Sequence, residues 1–297
     1  MRIIALLLTF CISLSGFSQL PQVSSGSLIR LEHFKSRYVE DRNVDIWLPK
    51  SYSADKKYAV LYMHDGQMLF DANTTWNKQE WMVDEVVSDL IENDKIKECI
   101  VVAPWNAGQY RHSDYFPEKA ANFLPEELKA QLKNGLMGDF RADEYLLFLT
   151  KELKPFIDDN YSTLSDQSNT YIAGSSMGGL ISIYAICEYP NVFSGAACIS
   201  THWPGDTKIA NDLIPKAFYS YLNENIPSPE NHMIYFDYGT ETLDSLYKPL
   251  QLKVDEIMKR KGYDKSNWIS KEFVGENHSE DSWSKRLYIP LEFLMNK

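Results

Sequence analysis

Asn169-Thr170-Tyr171-Ile172-Ala173-Gly174-Ser175-Ser176-Met177-Gly178-Gly179-Leu180-Ile181-Ser182-Ile183-Tyr184-Ala185-Ile186-Cys187 decides how this chain is read. Residues 169–173 are an apolar run of strand character, and residues 179–187 are of helical character. Between them lies a Gly-x-Ser-x-Gly pentapeptide centred on Ser176. Strand, sharp turn and helix together are the setting that a nucleophile elbow requires. Such a turn strains the backbone of Ser176, and Gly174 and Gly178 are expected to leave room where strand and helix cross. It also aims the Met177 N–H, at the helix start, toward an oxyanion formed beside Ser176.

Outward from the elbow, apolar strands alternate with helical segments. Strands are expected at 28–34, 43–48, 57–63, 97–103, 193–199, 233–238 and 266–274, with helices at 81–92, 142–161, 249–260 and 282–295. The pattern predicts an α/β fold, a mostly parallel sheet with helices on both faces and ligands beyond the carboxyl ends of its strands. No repeat or linker divides residues 19–297, which read as one catalytic domain. The stretch 117–140 is longer than an ordinary connection and is expected to cap the pocket.

Residues 1–18 have a basic start at Arg2, an apolar run from Ile3 to Leu14 and small residues at Gly16 and Ser18. These are the features of a cleaved signal peptide, so export to the periplasm or the exterior is expected. No other stretch is long and apolar enough to cross a membrane. Net charge is −11, and the acidity argues against a nucleic-acid or anionic-membrane partner. Cys99, Cys187 and Cys198 have apolar neighbours and read as buried small hydrophobes. No metal-ligand spacing occurs, and neither metal nor cofactor is expected.

A serine hydroxyl is a poor nucleophile without a base beside it. His278 follows the last expected strand and precedes the terminal helix, the place where the base arrives in this architecture. The orienting acid belongs after the preceding strand, where Asp244 and Glu241 both stand; Asp244 is favoured, with Asp237 inside the strand ranked third. The second oxyanion donor is placed at Gln67, after Gly66 in the turn that ends the third strand. His64 reads as structural, and Asp65 as a side chain that holds that turn. Trp203 and His202 follow one strand end, and Trp105 and Arg111 follow another, so these four are the candidate substrate contacts.

Tyr62-Met63-His64-Asp65-Gly66-Gln67, Arg111 through Tyr115-Phe116-Pro117, the elbow at 174–179 and Gly275 through His278 to Trp283 carry a resemblance. From about Leu28 onward the chain resembles the esterase D-like family of α/β-hydrolases. That family includes S-formylglutathione hydrolases, feruloyl and acetylxylan esterases, enterochelin-type siderophore esterases and mycolyl transferases. The resemblance implies an α/β-hydrolase fold, with Ser176 as nucleophile, His278 as base and Met177 with Gln67 as oxyanion donors. The family's usual acid position falls on Thr242, which leaves Asp244 and Glu241 both open. The implied activity is a serine carboxylester hydrolase, its substrate a small-molecule or carbohydrate ester or a siderophore-type ester. Acyl transfer to a sugar alcohol and ligand binding without turnover are the alternatives.

Overall fold

The computed structural model describes residues 20–135, 138–209 and 212–297, so the expected leader, residues 1–18, lies outside the described residues. Two antiparallel strands, β1 (Ser27–Phe34) and β2 (Arg42–Leu48), begin an eight-stranded sheet. It continues through β3 (Ala59–Met63), β4 (Cys99–Pro104), β5 (Thr170–Ser175), β6 (Gly195–Ile199), β7 (Met233–Gly239) and β8 (Trp268–Phe273). The spatial order is β1-β2-β4-β3-β5-β6-β7-β8. β4 runs antiparallel to β2, and every pairing from β4 onward is parallel. β3 to β6 are buried at every position, which is why they read as unbroken apolar runs.

The helices are α1 (Val83–Glu92), α2 (Arg111–Tyr115), α3 (Glu126–Gly135), α4 (Ala142–Leu147), α5 (Lys154–Asn160) and α6 (Met177–Glu188). They are followed by α7 (Leu213–Asn225), α8 (Lys248–Arg260), α9 (Glu280–Ser284) and α10 (Tyr288–Met295). Strand alternation divides the interior between the two faces. Val60, Tyr62, Val102 and Ile172 point to a core shared with α6 and α7. Leu61, Met63, Val101 and Ala173 point to a second core shared with α1 and α10. The three cysteines are buried and free, and burial pushes the Cys99 thiol up to about 12.

Three expectations are corrected. The single helix expected over 142–161 is interrupted by a π-helical stretch, Phe148–Leu153. Pro155, which has no N–H for the carbonyl of Lys151, stands at the start of α5 just after this stretch, and within it Thr150 Oγ1 donates to the Leu146 carbonyl at 2.7 Å. Helix α7 has no counterpart among the expected elements, although Ile214, Ala217, Phe218, Tyr221 and Leu222 are buried at helical spacing. The stretch 117–140 buries Ala120, Leu124, Leu128, Leu132 and Phe140 in the core of α6 and α7. Its described residues pack as a layer of the body, and none of them lines the cleft that holds Ser176 and His278.

Residues 22–25 are tied across the sheet end. Gln22 N–H donates to Asp71 Oδ2 at 3.0 Å, and Ser24 donates to Asp84 Oδ2 through its N–H at 2.6 Å and its hydroxyl at 2.9 Å. Burial, with the charge of Glu85 beside it, raises the Asp84 carboxyl from 3.8 to about 6. A raised folded-state value means that the native protein holds this proton longer than the unfolded chain does. The associated stability is therefore fully present below pH 3.8 and is lost as pH rises through about 6. Asp84→Asn keeps an acceptor for Ser24 and removes the titration. Urea unfolding at pH 5.0 and 7.5 is expected to show the variant gaining on the wild type at the higher pH; an unchanged difference would refute the assignment.

Candidate active site

The carboxyl ends of the parallel strands open on a cleft of about 530 Å³, whose wall includes Gln67, Trp76, Arg111, Ser176, His278 and Trp283. Ser176 joins β5 to α6 with φ 59° and ψ −121°, a conformation that a side chain adopts only under constraint. The constraint is hydrogen-bonded on both sides. Ser176 N–H donates to the Ile199 carbonyl at 2.9 Å, and its own carbonyl accepts from Gly179 N–H at 3.0 Å and His202 N–H at 3.1 Å. The three glycines of the turn differ in role. A Cβ on Gly174 would lie 2.8 Å from backbone atoms of Gly178, and one on Gly179 would lie 2.8 Å from Thr201 Oγ1. A Cβ on Gly178 would meet only ordinary contacts, at 3.4 Å from Asp65 and 3.6 Å from His64. The crowding expected at 174 and 178 is thus found at 174 and 179.

His278 is held by its backbone and by its ring. Its N–H donates to Thr242 Oγ1 at 3.0 Å, and Gly275 N–H donates to Thr240 Oγ1 at 2.8 Å. The ring stands edge-on to Trp283, with centroids 4.9 Å apart, and edge-on to Tyr247 at 5.7 Å. Nδ1 lies 2.5 Å from Asp244 Oδ1. With a carboxylate on Nδ1, the neutral ring carries its proton there, and Nε2 is left as the acceptor.

The two candidate acids differ in their contacts. Glu241 is exposed at the start of its turn, whereas Asp244 is fully buried against His278. Asp244 Oδ2 accepts from Gly239 N–H and from the Ser200 hydroxyl, both at 2.6 Å. Ser200 Oγ in turn accepts from Trp283 Nε1 at 2.9 Å and Arg286 Nη2 at 3.0 Å. Burial opposes the charge on Asp244, but hydrogen bonds from His278, Ser200 and Gly239 outweigh it and hold the carboxyl below its usual range. Asp237, the third candidate, pairs with Arg286 through both oxygens at 3.1 Å. Thr242 is the residue that stands where a carboxylate was expected. Its φ of 52° and its bond to His278 N–H make it a support for the histidine loop.

Gln67 lies in the short turn Gly66–Met68, and Met177 is the first residue of α6. A Cβ on Gly66 would fall 2.1 Å from the Ala103 carbonyl oxygen, so only glycine lets this turn approach the end of β4. Burial lowers His64 to about 3, and its Nδ1 meets the Tyr145 hydroxyl at 2.9 Å, a structural role as expected.

Residues 36–289 match the protein family described as "Putative esterase". The chain belongs to this esterase family. It is 27% identical over 167 residues to Bacillus subtilis protein YbbA, across 55% of this chain and 58% of that one. It is 25% identical over 193 residues to an endo-1,4-beta-xylanase/feruloyl esterase of Xylanibacter ruminicola, across 63% of this chain and 23% of the other. The chain thus spans less than three fifths of the length of these curated relatives. A solved structure titled ferulic acid esterase superposes with a TM-score of 0.63 at 20% identity, covering 91% of this chain and 98% of that one. The fold is that of the α/β-hydrolases.

Within this fold the four candidate substrate contacts are placed differently from one another. Trp203 is buried, with Nε1 donating to Gln251 Oε1 at 2.7 Å, and it belongs to the core beneath the site. His202 is buried with Nδ1 2.8 Å from the Tyr247 hydroxyl, and burial followed by the nearby His278 charge lowers it to about 3. Trp105 donates to Asp45 Oδ2 at 2.9 Å under the Arg30 guanidinium. Arg111 does line the cleft, but both arms of its fork are held by Asp65 at 2.7 Å. A residue the sequence did not single out is Tyr247, which is buried between two histidines, with its hydroxyl 2.8 Å from His202 Nδ1 and its ring edge-on to His278. A second cleft, of about 520 Å³, lies at the amino ends of the strands, where Lys97 donates to the Ser168 carbonyl at 3.3 Å and the His232 ring nitrogens lie 2.8 and 2.9 Å from the Ser228 and Pro190 carbonyls.

The two flanking glycines of the pentapeptide are expected to respond differently to alanine. Gly174→Ala forces backbone apart and should cost about 1–3 kcal/mol. Gly178→Ala adds a helix-favouring residue in open contact and should be neutral or stabilising by up to about 1 kcal/mol. Thermal unfolding of the two variants checks this; equal losses would contradict the crowding described above.

Proposed function

We propose that this chain is an exported serine carboxylester hydrolase working through an acyl-enzyme, on a carbohydrate-linked or related small ester. The observation that carries the reading is the 2.5 Å contact of Asp244 with His278 Nδ1, in the cleft that also receives the strained Ser176. In this mechanism Ser176 Oγ attacks the ester carbonyl carbon while its proton passes to His278 Nε2. The oxyanion is held by the Met177 and Gln67 N–H groups. The bond to the alcohol oxygen breaks, and His278 protonates that oxygen as it leaves. Water then adds to the acyl-enzyme carbonyl with its proton passing to His278. Ser176 Oγ leaves with that proton and the acid is released.

Membership of the esterase family and the likeness to the Xylanibacter xylanase/feruloyl esterase and to the ferulic acid esterase support an ester as substrate. Export is proposed from residues 1–18 alone. Acyl transfer to a sugar alcohol uses the same first half-reaction, and product analysis with and without an acceptor distinguishes the two.

On p-nitrophenyl acetate, Ser176→Ala is expected to lower kcat by about 10⁶-fold with its circular dichroism unchanged. Asp244→Asn should lower it by about 10⁴-fold, because the ring is then held with its proton on the wrong nitrogen. Glu241→Gln should stay within a few-fold of the wild type. Near wild-type turnover by the serine variant would refute the mechanism, and a large loss in the Glu241 variant would move the acid.

A further inference from the structure

Trp76 is 85% exposed, the most open large apolar side chain among the described residues, and it stands on the wall of the cleft that holds Ser176 and His278. An exposed indole on the wall of a cleft is a flat apolar face that a ligand seated there can cover. Its loop is not loose. Asp71 Oδ1 accepts from Asn73 N–H at 2.9 Å, and its carbonyl accepts from Thr74 N–H at 3.0 Å and Thr74 Oγ1 at 2.9 Å. Thr75 repeats the pattern onto the Ala72 carbonyl, through its N–H at 3.3 Å and its hydroxyl at 2.9 Å. Beyond the tryptophan, Asn77 Nδ2 donates to Glu280 Oε2 at 2.9 Å, joining this loop to the start of α9 just after His278. The ring is carried on a turn that is already ordered, so a ligand meets a rigid surface and orders little on binding.

The rest of the wall says what kind of surface would cover it. Gln67, Asn77, Gln79 and Asn106 bring neutral amides. Among the described lining residues Arg111 carries the only guanidinium or ammonium, and Asp65 occupies its fork through two bonds of 2.7 Å. Glu280 is bonded to Asn77. Such a wall suits an uncharged, hydroxylated flat ring and offers no unpaired cation to a polyanion such as an iron tris-catecholate.

We infer that Trp76 is the specificity-determining platform of this cleft, on which an uncharged ring of the ester, a pyranose or an aromatic acyl group, stacks while Ser176 meets the carbonyl. The inference rests on the esterase reading above and adds the part of the substrate that the reading leaves open. Pyranose and arene offer the same chemistry to an indole, a flat face of C–H or π surface, and differ in which side of the ester they lie on.

Two substrates separate the sources: acetylated xylobiose, with its ring on the alcohol, and methyl ferulate, with its ring on the acyl group. Each is compared with vinyl acetate, which has no ring. For Trp76→Ala, the ratio of kcat/KM on one ring-bearing ester to that on vinyl acetate is expected to fall about tenfold, chiefly through KM. Trp76→Phe should recover most of it. The ester whose ratio falls identifies the ring. In parallel, xylobiose and ferulate are titrated into the full chain carrying Ser176→Ala, followed by tryptophan fluorescence. Quenching by one of them should disappear when Trp76→Phe is added to that background. Ratios unchanged for both esters, with no quenching that depends on Trp76, would overturn the inference. The titration needs no turnover, so a chain that hydrolyses none of the esters yet shows Trp76-dependent quenching would lose the esterase reading and keep the platform.

Discussion

A carboxylate with no access to water must be given everything that water would have supplied, and much of this molecule's active end is arranged around one such group. Asp244 lies behind His278 with four lone-pair directions to satisfy. His278 takes one, and Gly239 N–H and the Ser200 hydroxyl approach the other oxygen. The Gly239 bond explains a residue that otherwise looks incidental. A Cβ there would stand 2.1 Å from the Glu276 carbonyl and 3.0 Å from Asp244 itself, so the end of β7 can meet both the acid and the histidine loop only as glycine. Ser200 is in turn oriented by Trp283 and Arg286, and Arg286 is neutralised by Asp237. Each buried polar group is thereby paired with a neighbour, which is the condition under which such a network stiffens a site.

The fold was legible because its strands are buried on both faces and its elbow has a local signature. β3 to β6 appear as apolar runs of strand length, and Gly-x-Ser-x-Gly between strand and helix leaves few alternatives. That Ser176 and His278 would line one cleft was legible for a related reason, since the order of strand ends along the chain predicts which loops converge. The substrate contacts were not. Position after a strand end says that a side chain is near the site, but not whether it points up into the cleft or down into the core. Trp203 and His202 turn inward to Gln251 and Tyr247, and Trp105 is taken by Asp45. Those partners are between 45 and 60 residues away in sequence, and no local pattern announces them. Tyr247 and Trp76 were passed over for the opposite reason, because each sits in an unremarkable stretch and acquires meaning only from what surrounds it.

Helix α7 is a different kind of omission. Its buried positions recur at helical spacing, but Pro215, Ser220, Asn223 and Asn225 interrupt the segment's propensity. The periodicity was present, and tertiary packing supplies what local preference does not. Gly178 was misread by the same route, since pattern alone cannot tell a glycine that is crowded from one that is merely adjacent to crowding.

Trp283 and Arg286 both belong to the carboxyl-terminal stretch that closes the fold, yet they hold Ser200, and through it Asp244, from behind. During synthesis the elbow strand and its helix leave the ribosome long before these two residues do. A nascent chain can therefore display its serine while the carboxylate behind the imidazole still lacks its supports. The groups that stiffen Asp244 are therefore set in place only once residues 283 and 286 have packed against Ser200.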